Sequence, residues 1–324
     1  MNPKLKAVLE SVLIATISTV LLIILAFLPI LNIIIFVWPV PFIVIGVRRG
    51  LWAGVLSLVL AGLLLGIVIH PLLGIGMVIL NIFLVLGLSW AITRKLDLFE
   101  NIILSAGTVL FSIVSFIKVF SWATGKTVFD YVIDRIGAFI SGNINYFSRF
   151  MDIYNQFSEQ SVTAEEFANQ VIGQLELFIP FVPALLIIFS LLYGTVNLVV
   201  SRTVLKKLAY KISDLPAFSD WVLPKGAGLG FLVILFIAFA GSLLKLKNFE
   251  IVFYTLQSLF SFVFAVQGLS VATFFMKIKM GRLPGVVRNI ILALLFVLIP
   301  VVFMSVGIIE QIFDIRKIYR RIKM

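Results

Sequence analysis

Apolar residues run in long blocks along this chain, and polar residues are confined to short breaks between the blocks. A helix that crosses the hydrocarbon core of a bilayer needs about 20 mainly apolar residues, and block after block approaches that length. The first, residues 7–31, follows Lys4 and Lys6 and is too long, and too quickly followed by further blocks, for a cleaved signal segment. Residues 33–47 are shorter, carry Pro39 and Pro41 and stop at Arg48 and Arg49, which predicts a broken or tilted span. Residues 51–69 and 72–92 are separated by His70 and Pro71 and closed by Arg94 and Lys95; residues 101–122 follow. Later blocks cover 177–200, interrupted near Pro180 and Pro183, then 227–244, 249–275 and 286–309. The pattern predicts an all-α fold: a polytopic membrane helix bundle of about nine transmembrane helices.

One stretch breaks the pattern. Residues 123–176 place Asp130, Asp134, Asp152, Glu159, Glu165, Glu166 and Glu176 among apolar residues. Phe129, Val132, Ile133, Ile136, Phe139, Ile140, Ile144, Phe147 and Phe150 recur at three- and four-residue steps, with Asp130, Asp134, Asn145 and Arg149 off that face. The spacing predicts an amphipathic helical insert between spans five and six, lying in the interface or over the mouth of the bundle. Thr163 and Glu166 have the spacing of a capping box and predict a helix start there.

Composition agrees with lipid as the solvent. Of 324 residues 61% are hydrophobic and 13% charged, whereas soluble domains run near 45–50% and about 25%. The net charge of +11 would suggest nucleic acid in a soluble protein. Here the basic residues sit in short gaps between apolar blocks, where they set orientation, so no nucleic-acid partner is expected. With the N-terminus in the cytoplasm, the cytoplasmic loops collect Arg48, Arg49, Arg94, Lys95, a basic loop at 201–225, Lys277, Lys279 and Arg282. The opposite side keeps His70, Lys245, Lys247 and the acidic insert. The tail with Arg316, Lys317, Arg320, Arg321 and Lys323 breaks this rule if all nine blocks cross.

The absence of cysteine removes thiolate metal sites and Cys nucleophiles, and a single histidine leaves no multi-His site. No HExxH, GxxxxGK[ST] or Gly-x-Ser-x-Gly pattern is present. Gly226, Gly228 and Gly230 follow no strand and make no dinucleotide loop. No enzyme activity, metal or cofactor is expected.

Polar and small residues inside the blocks carry the remaining signal. Ala7, Ser11, Ala15 and Thr19 form a small-residue stripe at four-residue steps, and Gly50/Gly54 and Gly62/Gly66 are GxxxG pairs. Such faces let helices approach closely, within the chain or against a partner. Asn32, Trp38, His70, Lys118 and Trp122 fall at similar depth on the outer side. They could line a pocket for an anionic or aromatic ligand held by Lys118 and stacking; an interfacial aromatic belt places Trp at the same depth. Asn81, Asn197, Gln257 and Gln267 lie within blocks, where interhelical hydrogen bonds account for them.

Several strings occur in a telling order: Arg202-Thr203-Val204-Leu205-Lys206-Lys207-Leu208, then Leu215-Pro216-Ala217-Phe218-Ser219-Asp220-Trp221-Val222-Leu223-Pro224. Gln267-Gly268-Leu269, Gly307-Ile308-Ile309-Glu310 and Phe313-Asp314-Ile315-Arg316-Lys317 follow. With the long insert before span six, the chain resembles the YybS-like family of bacterial multi-pass membrane proteins, a family of unknown function. Pro41-Phe42, Val47-Arg48-Arg49-Gly50, Gly54, Gly62 and Gly66 also make residues 1–200 look like the S component of energy-coupling-factor (ECF) transporters. The resemblance implies a six-span solute-binding bundle at 1–200, a basic cytoplasmic loop at 201–225 and three further helices with a basic tail at 226–324. It also implies a bacterial plasma-membrane location and an ECF-type coupling module docking on the span-one stripe, as in S components. A transporter-like protein binding a small solute at its outward face is the reading this favours. The alternative is a non-transporting scaffold or regulator that engages other membrane proteins or anionic lipid through the insert and basic loops.

Overall fold

A computed structural model describes residues 3–26, 35–157, 161–212, 214–281 and 283–323. Among these residues the secondary structure is helical, without strands. They form two compact units, one of Met1–Ile179 with Phe189–Ile212 and one of Pro180–Ile188 with Ser213–Met324.

The first unit contains α1 (Pro3–Ala26), α2 (Val40–Arg49), α3 (Leu51–Val68), α4 (Pro71–Arg94), α5 (Leu98–Thr124), α6 (Val128–Gly142), α7 (Ile144–Asn155), α8 (Ala164–Leu177) and most of α9 (Val182–Lys207). Its core is Phe42, Ile43, Leu58, Leu84, Leu88, Leu198 and Leu205, all fully enclosed. Lipid supplies no hydrophobic drive between helices, so close contact has to come from small residues. A Cβ on Gly54 would stand 2.7 Å from the Phe42 carbonyl oxygen, and one on Gly74 would stand 2.8 Å from the backbone nitrogen of Gly66. Ser89 donates from Oγ to the Ile43 carbonyl at 3.2 Å, and the Tyr210 hydroxyl donates to the Val47 carbonyl at 3.3 Å. The last turns of α4 and α9 therefore lie at the Arg48–Arg49 end of α2, which gathers Arg94, Lys95, Lys206 and Lys207 at one end of this unit.

The insert folds as α6, α7 and α8. The expected capping box forms: Glu166 N–H donates to Thr163 Oγ1 at 3.2 Å and Thr163 N–H to Glu166 Oε2 at 2.8 Å. Phe147 touches Phe139 edge-on and stacks on Phe167, each at 6.1 Å. Lys126 pairs with Asp134 at 2.7 Å, and that carboxylate holds the ammonium above the ordinary lysine range.

In the second unit a 3-10 turn at Phe218–Asp220 precedes α10 (Ala227–Leu243), α11 (Phe249–Lys279), α12 (Gly285–Leu298), α13 (Pro300–Phe313) and α14 (Ile315–Lys323). α10 and α11 form a hairpin zipped by Phe239 on Phe253 at 5.5 Å and Phe231 on Phe260 at 6.1 Å. α11 and α13 cross backbone to backbone: a Cβ on Gly268 would strike the Phe303 carbonyl, and one on Gly307 would strike the Phe264 carbonyl. Beside this crossing lies a buried ion pair. Arg316 Nε meets Glu310 Oε1 at 2.6 Å, with the two side chains 4% and 1% exposed. The guanidinium also donates to the Ser219 carbonyl at 2.7 Å, Ser270 Oγ at 2.9 Å and the Trp221 carbonyl at 3.0 Å. Ser270 Oγ in turn donates to the Phe218 and Trp221 carbonyls at 2.8 and 2.9 Å.

Five helical segments among the described residues are long and apolar enough to cross a membrane, or up to six if one bent pair is counted as a single span. The count of about nine expected from hydropathy is thus not reached, for local reasons. Of the described residues of block 33–47, those from Val40 on are α-helical (α2), after a 3-10 turn at 35–37. Block 286–309 is two helices bent by 102°, because Pro300 lacks an N–H and Ile299 before it leaves the helical region at φ −135°, ψ 55°. Val8–Ile24 and Ala227–Leu243 are apolar but shorter than the other candidates.

Removing one member of a buried ion pair leaves the other uncompensated and costs about 3–5 kcal/mol. Arg316→Met and Glu310→Ala are each expected to destabilise the protein by that order, read as a lower midpoint of thermal unfolding in detergent. A loss below about 1 kcal/mol would mean that water reaches the pair.

Candidate functional site

Within the first unit, α2 is entered through a 3-10 turn at 35–37. Trp38 N–H closes the 3-10 turn on the Ile35 carbonyl at 3.1 Å, and Phe42 and Ile43 both donate to the Pro39 carbonyl at 3.1 Å. Pro39 and Pro41 have no N–H to leave orphaned, which suits them to a buried helix start. α2 is enclosed along its length: Val40 and every residue from Phe42 to Val47 are buried. The Trp38 indole N–H donates to the Ser18 carbonyl at 3.3 Å, so this start lies level with the middle of α1 and not with its end.

Three polar side chains meet there. Asn197, fully buried on α9, donates from Nδ2 to the Phe36 carbonyl at 3.1 Å and to its own-helix Tyr193 carbonyl at 2.9 Å. The Tyr193 hydroxyl donates to Asn81 Oδ1 at 2.8 Å, and Asn81 Nδ2 donates to the Met77 carbonyl at 2.8 Å. Phe36 packs edge-on against Tyr193 at 4.8 Å and Phe189 at 5.6 Å, and Phe189 stacks on Tyr193 at 5.5 Å. One polar atom is left over: Asn197 Oδ1 is buried and has no hydrogen-bond partner. Buried side-chain acceptors are ordinarily paired, so an orphan of this kind points to a ligand or a water.

The residues expected to line an outer pocket are distributed differently. Asn32 lies outside the described residues. Trp38 is buried, edge-on to Phe42 at 4.9 Å. His70 is exposed and caps α4 through Nδ1, which accepts from Leu72 N–H at 3.3 Å. Lys118 is exposed on α5, and Trp122 is 88% exposed in its last turn. No hydrogen bond or ring contact joins Trp38, His70, Lys118 and Trp122.

The span-one stripe faces α3. Ser11 Oγ donates to the Ala53 carbonyl at 3.2 Å, Thr19 Oγ1 to the Ala61 carbonyl at 3.2 Å, and Ala15 is buried between them; the Ala7 side chain lies outside the described residues. Gly54 packs on α2, and Gly62 and Gly66 pack on the first turns of α4. Gly50 differs from its expected packing role: nothing would meet a Cβ there within 4 Å, and its φ of +103° makes the turn from α2 into α3, which a glycine alone takes without strain.

Sequence reasoning singled out Asn81 and Asn197 but missed Tyr193, which lies one turn before Asn197 and ties the two asparagines together. It also missed Glu10, whose carboxylate takes a two-pronged bond from Arg49, Nε to Oε2 at 2.6 Å and a terminal nitrogen to Oε1 at 2.5 Å. A lone acid in the first apolar block was the available signal.

Long apolar helices joined through backbone-close crossings and a few internal polar contacts define a multi-pass α-helical membrane protein. The chain belongs to the family described as predicted membrane protein (DUF2232), whose model matches residues 16–314. No curated protein and no solved structure matches it.

Interhelical hydrogen bonds within membranes contribute about 0.6 kcal/mol on average. Tyr193→Phe is therefore expected to lower stability only slightly. Asn197→Leu strips the Phe36 carbonyl of its partner and is expected to cost about 1–3 kcal/mol. Thermal unfolding of the two variants side by side in detergent checks the ranking; equal effects would remove Asn197 from its central place.

Proposed function

We propose that this protein binds a small solute at the interrupted second helix, as a transporter-like membrane protein of the bacterial plasma membrane with its N-terminus in the cytoplasm. The observation that carries this reading is the orphaned Asn197 Oδ1 beside a broken helix start. Irregular backbone at membrane depth is tolerated only where it is buried in protein or lines a water-filled cavity, and in transporters such discontinuities supply the binding groups. The unpaired group is an acceptor and no carboxylate faces it in the contacts above, which favours a neutral or singly charged cationic solute carrying N–H or O–H donors. This places the site deeper than an outward-facing cluster around Lys118 and His70. The S-component-like reading of residues 1–200 belongs to this proposal. So does a partner for energy coupling: the span-one stripe is covered by α3, so an ECF-type module would need a different face of the chain. The basic residues gathered at the Arg49 end of the first unit support the cytoplasmic assignment of that end.

A second reading, a scaffold that engages a partner, is favoured by the insert. Phe139, Tyr146, Phe150 and Phe157 are 62%, 73%, 56% and 87% exposed there. Such aromatic surface is unusual without a partner or lipid to cover it.

Thermal-shift measurements on the detergent-purified protein, against a panel of amines, amides, polyols and monovalent cations, separate the two. A binding solute at 100 times its dissociation constant is expected to add about 2.7 kcal/mol of stability, and Asn197→Ala is expected to abolish that shift. No shift across the panel, together with covalent cross-linking of a stable partner through residue 150 or 157, would overturn the solute reading in favour of the scaffold.

A further inference from the structure

The second unit carries a feature independent of the solute site: α13 and α14 fold back on one another beside α11. Phe303 sits against Gly268, and Gly307 reaches back to Phe264, so α13 runs antiparallel to α11. At Asp314, with φ +50°, the chain reverses. Arg316 then bonds Ser270, and Tyr319 packs on Phe274 and Phe275 at 6.2 and 5.3 Å. Arg320 lies over the Phe274 ring at 5.1 Å and pairs with Asp220 at 2.7 Å. α13 descends and α14 climbs back, ending near the turns of α11 that lead to Lys277 and Lys279. This disposition also removes the conflict between a basic tail and the positive-inside pattern, because no crossing separates the tail from Lys277 and Lys279.

α14 is built for an interface. Ile315, Ile318 and Ile322 share one side at three- and four-residue steps, and Ile318 and Ile322 are 47% and 78% exposed. Lys317 and Arg321 flank that side and are exposed, as are Lys277 and Lys279 at the end of α11. The acids nearby are engaged or few: Glu310 is bound by Arg316, Asp220 by Arg320, and only Asp314 lies free on the surface of the turn. We propose that α14, with the basic end of α11, is an interfacial docking surface for the headgroups of anionic phospholipid. In this arrangement Ile318 and Ile322 enter the acyl boundary while Lys317, Arg321, Lys277 and Lys279 neutralise phosphates. An apolar stripe flanked by basic residues is what binding to an anionic leaflet requires.

The chain has no cysteine, so single thiols report position without background. In reconstituted vesicles of one orientation, Ile322→Cys is expected to react with an impermeant maleimide from the same side as Met280→Cys and from the side opposite Leu246→Cys. Reaction of Ile322→Cys from the Leu246 side would overturn the re-entrant path and the proposal with it. An environment-sensitive fluorophore on Ile322→Cys then reads docking in the full-length protein. In nanodiscs containing phosphatidylglycerol its emission is expected to shift to the blue relative to phosphatidylcholine alone. The shift should disappear in high salt, where charges are screened, and in Lys317→Gln with Arg321→Gln. Emission that is the same in both lipids, or a blue shift that survives both salt and the double substitution, would show that α14 does not read lipid charge.

Discussion

In the hydrocarbon of a bilayer a backbone carbonyl or N–H has no water to turn to, and each one left unpaired costs several kcal/mol. Continuous helix solves this locally, which is why most of this chain coils. The informative places are those where the helix stops inside the protein and a side chain takes over. Asn197 serves the Phe36 carbonyl ahead of α2. Arg316 and Ser270 between them serve the carbonyls of Phe218, Ser219 and Trp221. The two breaks use the same device with different chemistry. The first is neutral and ends in one unfilled acceptor; the second is ionic, and its neighbour Gln267 keeps one unfilled donor, Nε2.

The two devices suggest different duties. Under the proposed solute-binding role, a neutral cluster of amide and phenol groups with one free acceptor would take up and give back a solute without moving a net charge. A guanidinium with four of its five N–H groups bonded to a carboxylate, a hydroxyl and two carbonyls acts as a lock. Close crossings frame both. At Gly54 against Phe42, and at Gly268 against Phe303, the backbones touch, so neighbouring polar groups are held at fixed separations.

How much could be seen in advance depended on range. Blocks 51–69, 72–92, 101–122 and 249–275 correspond to α3, α4, α5 and α11, because a long apolar run in lipid has few alternatives to helix. The Thr163 box was equally legible, its partners being three residues apart. Pro39, Pro41, Pro180 and Pro183 marked breaks, whereas block 286–309 reads as one uninterrupted span despite Pro300, and a proline does not say whether the chain continues across or turns back. At 286–309 the two helices meet at 102°. The polar cluster was only half visible: Asn81 and Tyr193 are separated by 112 positions, and hydropathy says nothing about which faces of α4 and α9 meet. Depth was the weakest guide. Trp38 and Trp122 were grouped by distance from the block ends, yet one is 6% exposed and the other 88%.

The lock at Arg316 also bears on how the second unit assembles. Every group it binds precedes it in the chain: Ser219, Trp221, Ser270 and Glu310 are all synthesised first. Until Arg316 arrives, the turn before α10 has carbonyls waiting for a donor, and closing α13 over Glu310 would bury a lone acid. The earlier helices can insert one by one, but the final seating of this unit has to await a residue that comes after all of them.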